Sequence, residues 1–165
     1  MVELRARSTG IAALAALAAL LVLAPAGRGA EVTPDEYTGL VEPICKTNVQ
    51  ANKQIFKGTK GAIKRGELKK ASVSFFRATT AFGRTIREIA AVPQPAGYET
   101  KLGKWLDLLR DEKDIVKKIG QALAAEKRAK AESYSVELNR NTNKANNAVL
   151  SFSFDYCRLD SSRFG

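Results

Sequence analysis

The chain has 165 residues, enough for one domain, and 27 Lys and Arg against 17 Asp and Glu give it a formal charge of +10. It has no histidine, and Met1 is its only methionine. These absences exclude Ser-His-Asp and Cys-His catalysis, histidine zinc sites and His or Met ligation of haem. Catalysis by Asp, Glu, Lys or Tyr side chains is not excluded in this way, but no motif in the sequence supports it. We therefore predict a non-enzymatic protein with no cofactor and no metal.

The first 26 residues have the layout of a secretory signal peptide. Arg5 and Arg7 form a short positive region, residues 11–24 are an unbroken apolar run, and Ala-Pro-Ala at 24–26 offers the small residues that a signal peptidase needs. As a helix the run rises about 21 Å, short of the ~30 Å hydrocarbon core, which favours cleavage. We predict a secreted or periplasmic protein without a transmembrane segment in the mature chain. The alternative is a membrane anchor formed by the uncleaved N-terminal segment.

Residues 27–43 are predicted as a lead-in to the helical domain. Thr33, Pro34 and Glu36 form a helix-start pattern of a cap residue, a proline and an acid three places after the cap. Pro43 biases the residue before it away from helix, so we expect this short turn to end near Pro43.

The remaining chain predicts an all-α fold, because apolar residues recur at spacings of three and four and strand signals are nearly absent. The predicted helices are four, covering about residues 44–64, 67–91, 98–125 and 126–150. Gly58 and Gly61 weaken the first helix, and Pro93 and Pro95 end the second. The third and fourth have no clear boundary, because residues 127–129 fit a continuous helix. We predict an up-down-up-down four-helix bundle domain over 44–157, followed by a C-terminal tail over 158–165.

Cys45 and Cys157 are the only cysteines. An even pair in an exported chain predicts a disulfide, and the alternative is two separate buried thiols. In an up-down bundle an even number of helices returns the chain to its starting end, so four helices bring these two residues together. Phe152, Phe154 and Tyr156 alternate in a short extended pattern, and we expect them to fold back over the open end of the bundle beside the disulfide.

Lysines and arginines concentrate at the turn between the first two predicted helices and at the turn between the last two, which share one end of a bundle. The candidate anion-binding patch comprises Lys57, Lys60, Lys64, Arg65, Lys69, Lys70, Lys117, Lys118, Lys127, Arg128 and Lys130. Such a patch raises the local concentration of anions and steers polyanions. Acidic cell-envelope polymers and lipid headgroups are the partners we expect, and a merely solvated surface is the alternative. The Gly-x-x-Gly at 58–61 matches a nucleic-acid clamp, but that clamp needs a neighbouring sheet, so we do not expect nucleic-acid binding.

Two groups of polar residues on the predicted helices are candidate sites. Paired carboxylates can hold a cation or serve acid–base chemistry, but of four acids in the third helix only Glu112 falls near the apolar stripe. We therefore predict an exposed acidic face comprising Asp107, Asp111, Glu112 and Asp114.

Asparagines form the second group. Antiparallel helices would set Asn52 level with Asn146, and a mutual buried pair would fix the helix register. The functional alternative is a pocket that binds a small molecule, lined by Asn48, Asn52, Asn146 and aromatic side chains.

From Asn146 the sequence reads NNAVLSFSFDYC. Together with the single early cysteine and the helical interior, this ending resembles small, uncharacterised exported helical proteins of bacteria. The resemblance implies the Cys45–Cys157 bridge and the helical bundle; it implies no activity and no functional residue. We predict a non-enzymatic binding or interaction module that engages anionic envelope components through its lysine-rich end. The alternative is a small-ligand carrier with a polar and aromatic pocket inside the bundle.

Overall fold

The computed structural model describes residues 31–160, so the predicted signal peptide and the end of the C-terminal tail lie outside the described residues. Within 31–160 the fold is all-α and has no strand, as the sequence predicted, but it has five helices where four were predicted. The helices are α1 (Pro34–Ile55), α2 (Thr59–Lys64), α3 (Leu68–Ala90), α4 (Glu99–Ala124) and α5 (Arg128–Ala148). None of these helices is long and apolar enough to cross a bilayer.

Helix α1 begins at the predicted cap. The Thr33 hydroxyl accepts a hydrogen bond from the Glu36 amide at 3.2 Å, and the Glu36 carboxylate accepts one from the Thr33 amide at 2.8 Å. The expected end at Pro43 is wrong, because the helix continues through this proline to Ile55. Buried side chains one turn apart on both sides of Pro43 hold the segment against the core, and this packing overrides the local bias of the proline.

The predicted first helix is divided in two. Gly58 adopts φ 82°, in the left-handed region that favours glycine, and this residue separates α1 from the short helix α2. The weak point that the sequence indicated therefore becomes a break, and α2 forms a separate turn of helix that packs on α3.

The long helices pack against their neighbours as a helical bundle. Gly120 of α4 lies so close to α3 that an added Cβ would come within 3.0 Å of Phe75 Cβ. Buried apolar side chains form two clusters. The first surrounds Trp105, near the disulfide, and the second surrounds Phe75, near the α2–α3 and α4–α5 turns.

The C-terminal segment, residues 149–160, is fixed to α1 and covers one end of the bundle. Cys157 forms the predicted disulfide with Cys45, and the Glu42 carboxylate accepts hydrogen bonds from the amides of residues 155, 156 and 157 at 2.9–3.1 Å. Phe152 and Phe154 are buried and stack at 5.3 Å between ring centroids. The expected fold-back beside the disulfide is thus present, without a strand among these residues.

Candidate functional site

The two lysine-rich turns lie side by side. Arg128 Nη2, at the start of α5, donates to the Ile63 carbonyl in α2 at 2.7 Å, and Lys69 Nζ lies 3.1 Å from Glu126 Oε2. We call the surface formed by residues 57–70 and 117–130 the basic end. It carries all eleven predicted patch residues and two carboxylates, hence a net charge of +9. All eleven cationic side chains are exposed.

Both turns use the same backbone device. In the first, the Glu67 amide donates to the Ala62 carbonyl at 2.9 Å, and Gly66 adopts φ 80°. In the second, the Lys127 amide donates to the Ala122 carbonyl at 2.8 Å, and Glu126 adopts φ 58°. This Schellman arrangement satisfies the last carbonyls of each helix and reverses the chain sharply, which brings the flanking lysines to one end.

Part of this charge is neutralised locally. Arg65 and Lys70 both contact the Glu67 carboxylate, at 2.7 and 3.2 Å, and these hydrogen bonds, Arg65 first, lower the pKa of Glu67 to about 2. Lys118 lies 3.6 Å from Glu137. Six patch lysines form no ion pair with any residue of the described range, namely Lys57, Lys60, Lys64, Lys117, Lys127 and Lys130. The basic end therefore keeps cations available to an external anion.

A groove at the basic end adds shape to the charge. It has a volume of about 280 Å³ and is flanked by Lys57, Arg65 and Lys70. Two hydroxyls line it, and Thr59 Oγ1 donates to Ser74 Oγ at 2.9 Å. Hydroxyls and cationic side chains are the groups that hydrogen-bond to anions, so the groove has the chemistry of an anion site.

The opposite end contains a small cavity beneath the disulfide. Its walls are both cysteines, Asn48 and Asn52 of α1, and Trp105 of α4. Two of the three predicted pocket asparagines and an aromatic side chain therefore meet here.

Asn146 is elsewhere, and the predicted Asn52–Asn146 pair does not form. The Asn146 amide donates to the Leu159 carbonyl at 2.9 Å and accepts from the Leu159 amide at 2.8 Å, whereas Asn52 Oδ1 has no partner in the described part of the chain. The two hydrogen bonds to the Leu159 backbone occupy the Asn146 side chain, so it is not available to Asn52.

The predicted exposed acidic face is wrong for Glu112, which the apolar stripe of α4 carries into the core. Asp107, Asp111 and Asp114 are exposed, whereas Glu112 is fully buried between the two apolar clusters. Asn141 Nδ2 and Thr142 Oγ1 each donate to Glu112 at 2.8 Å. Burial raises the pKa of the Glu112 carboxyl, and the two hydrogen bonds oppose this effect. Across residues 31–160 no three Cys, Asp or Glu side chains converge as a metal site.

Sequence reasoning missed two polar anchors. Glu42 holds the C-terminal segment, and Glu112 joins α4 to α5 through Asn141 and Thr142. The only sequence signal was the position of Glu112 beside the apolar stripe; Glu42 had none, because its partners are backbone amides 113–115 residues away.

No protein-family model, curated protein or solved structure matches this chain.

Proposed function

We propose that this chain is an exported, non-enzymatic binding protein whose four long helices form an up-down-up-down bundle and whose basic end engages an anionic component of the cell envelope. One observation carries the proposal. The net charge of the basic end, +9, equals that of the whole chain after residue 26, so the remainder of the mature protein is neutral overall. A field this localised concentrates polyanions at one end of the molecule.

Two features support export. The N-terminal 26 residues have the three-part pattern of a secretory signal, and the Cys45–Cys157 disulfide persists best in an oxidising compartment. The bundle topology is supported by neighbouring helices that run in opposite directions. Glu112 of α4 contacts Asn141 of α5, and Lys118, further along α4, contacts Glu137, earlier in α5.

The first test is salt-dependent binding. The purified protein is titrated with polyphosphate, with polyglutamate and with vesicles containing phosphatidylglycerol, each at about 20, 150 and 500 mM salt, because the screening length falls from tens of ångströms to a few over this range. We expect binding to at least one probe at low salt and progressive loss as salt is added. Absence of low-salt binding to all three probes would contradict the proposal, as would binding that is insensitive to salt.

A matched pair of variants locates the contact. K57E/K60E/K64E reverses three unpaired charges at the basic end, and R84E/R87E/K104E makes the same change of net charge at exposed positions near the other end. We expect the first variant to bind the anionic probe at least about tenfold more weakly and the second to change much less. Equal losses in both variants would show that net charge, and not the basic end, is what the anion recognises.

A further inference from the structure

The cavity beneath the disulfide combines apolar walls with polar atoms that the protein leaves unpaired. It has a volume of about 30 Å³ and is partly open to solvent. This volume accommodates about two water-sized groups. Residues 156–160 of the C-terminal segment form one side of it, and Phe82, Ile89 and Leu109 contribute apolar surface.

Three polar atoms of the cavity-lining residues have no hydrogen-bond partner in the described chain: Asn48 Oδ1, Asn52 Oδ1 and Trp105 Nε1. Asn52 is 6% exposed and Trp105 is fully buried. Buried polar atoms are paired in most proteins, and each one left unpaired destabilises the fold. Two unpaired acceptors and one unpaired donor around a single cavity therefore mark a place where an external group completes the hydrogen bonding. Tyr37 Oη also lacks a described partner, but Tyr37 does not line this cavity.

We propose that this cavity binds the primary carboxamide group of a small neutral ligand. A carboxamide supplies two N–H donors and one carbonyl acceptor, which match the two asparagine oxygens and the single indole N–H one to one. The carboxamide also has two polar heavy atoms, one nitrogen and one oxygen, and the cavity accommodates about two water-sized groups. The rest of the ligand projects through the open side of the cavity.

Other head groups match less well. A carboxylate has no donor for the two asparagine oxygens, while an ammonium has no acceptor for the indole N–H. A hydroxyl donates only once, so one asparagine oxygen stays unpaired. The site thus selects on the count and direction of hydrogen bonds, which is the kind of recognition that discriminates strongly against an analogue lacking one group.

The single tryptophan makes the test direct. Because Trp105 is the only tryptophan, its indole N–H gives one resolved signal in a ¹H–¹⁵N spectrum. The full chain is titrated with propionamide, and separately with propionate and 1-propanol as matched probes. We expect a saturable shift of this signal with propionamide, with a Kd on the order of 1–100 mM for so small a ligand, and at least about tenfold weaker responses with the other two. The titration is run at about 500 mM salt, where charge–charge contacts at the basic end are screened, so its outcome is independent of the proposed function.

Variants separate binding from folding. N52L removes one unpaired acceptor and keeps the number and branching of the side-chain heavy atoms, and N143L makes the same change at an exposed position of α5. We expect N52L to weaken propionamide binding at least about tenfold and to raise the thermal midpoint, whereas N143L leaves binding unchanged. N48L, at a half-buried position, is the second binding variant if N52L does not fold. The proposal is overturned by the absence of a saturable shift, by equal responses to all three probes, or by unchanged affinity in the asparagine variants.

Discussion

Glu112 is the residue whose side chain is most at odds with its surroundings. It lies between two apolar clusters with no exposed surface, and within residues 31–160 its hydrogen-bond partners are the neutral side chains of Asn141 and Thr142. A buried carboxylate without a cationic partner is destabilising when charged. Asn141 Nδ2 also donates to the Leu108 carbonyl at 2.8 Å. Both of its N–H groups are therefore used, and Asn141 has no further donor to offer the Glu112 carboxylate.

This arrangement predicts that E112Q stabilises the protein at neutral pH and above. The glutamine oxygen accepts from Asn141, and its NH₂ group donates to the Thr142 hydroxyl, which can reverse its role. We expect the free energy of unfolding to rise by about 1 kcal/mol or more at pH 8. D111N, one position away on the exposed face, is the control and should change it by less than about 0.5 kcal/mol.

The pH dependence has a definite sign. The folded-state pKa of Glu112 is raised by burial, so the folded protein holds this proton more tightly than the unfolded chain does. The stability contributed by Glu112 is complete below the unfolded-state pKa and is lost as pH rises through the folded-state pKa. Urea unfolding of wild type and E112Q from pH 3 to pH 8 should therefore show curves that diverge as pH rises. Parallel curves would contradict the assignment.

At the scale of elements, α1 shows tertiary packing overriding a local signal. Pro43 lacks the amide that would bond to the carbonyl of Gly39, yet the helix continues because Val41 and Cys45 on either side of it are buried. We expect P43A to raise the free energy of unfolding by about 1–3 kcal/mol, since an interior proline costs about 3 kcal/mol in a helix and Pro43 itself is exposed. P34A is the matched control. Proline is favourable at the first helical position, so that change should be neutral or slightly destabilising in the same denaturation measurement.

The sequence predicts the interiors of the elements better than their ends. The apolar stripe of α3 is entirely buried, because a 3.6-residue period reports burial directly; it comprises Leu68, Ala71, Phe75, Ala78, Phe82, Ile86 and Ile89. The α4–α5 boundary could not be located, since the left-handed position there is occupied by Glu126, where a glycine would have marked the turn. The break at Gly58 was visible only as a weakness, because propensity alone does not decide between a bend and an interruption.

The same limit applies to the candidate sites. The basic end follows from charge spacing and from the even number of long helices, both of which are sequence properties. The hydrogen-bond partners of Asn146, Glu42 and Glu112 could not be predicted in this way. These partners are distant in the sequence, and some of them are backbone atoms of a segment without regular structure. A helical period predicts which face of a helix is buried, but it does not predict which buried amide forms a hydrogen bond.

At the scale of the whole molecule, the two ends are built differently. The cluster around Trp105 lies beneath a covalent cross-link and a carboxylate-held segment, whereas the cluster around Phe75 lies beneath two short turns that carry the positive charge. Glu112 lies between them in α4. The proposed anion contact and the proposed carboxamide site therefore occupy separate parts of the bundle, and each can be altered while the other is measured.

The disulfide is where this separation can be tested. It closes a loop of 112 residues between α1 and the C-terminal segment, and a cross-link over so long a loop restricts the unfolded chain strongly. We expect C45S/C157S to lose about 2–4 kcal/mol of unfolding free energy in urea, with helical circular dichroism retained.

Because the segment beside Cys157 also forms one side of the cavity, amides 155–157 should lose hydrogen-exchange protection and the Trp105 response to propionamide should weaken. Binding of the anionic probe should persist, since the two turns of the basic end are joined by contacts of their own, Arg128 with Ile63 and Lys69 with Glu126. Loss of anion binding in step with the cavity response, in protein that remains helical, would mean that the two ends act as one unit.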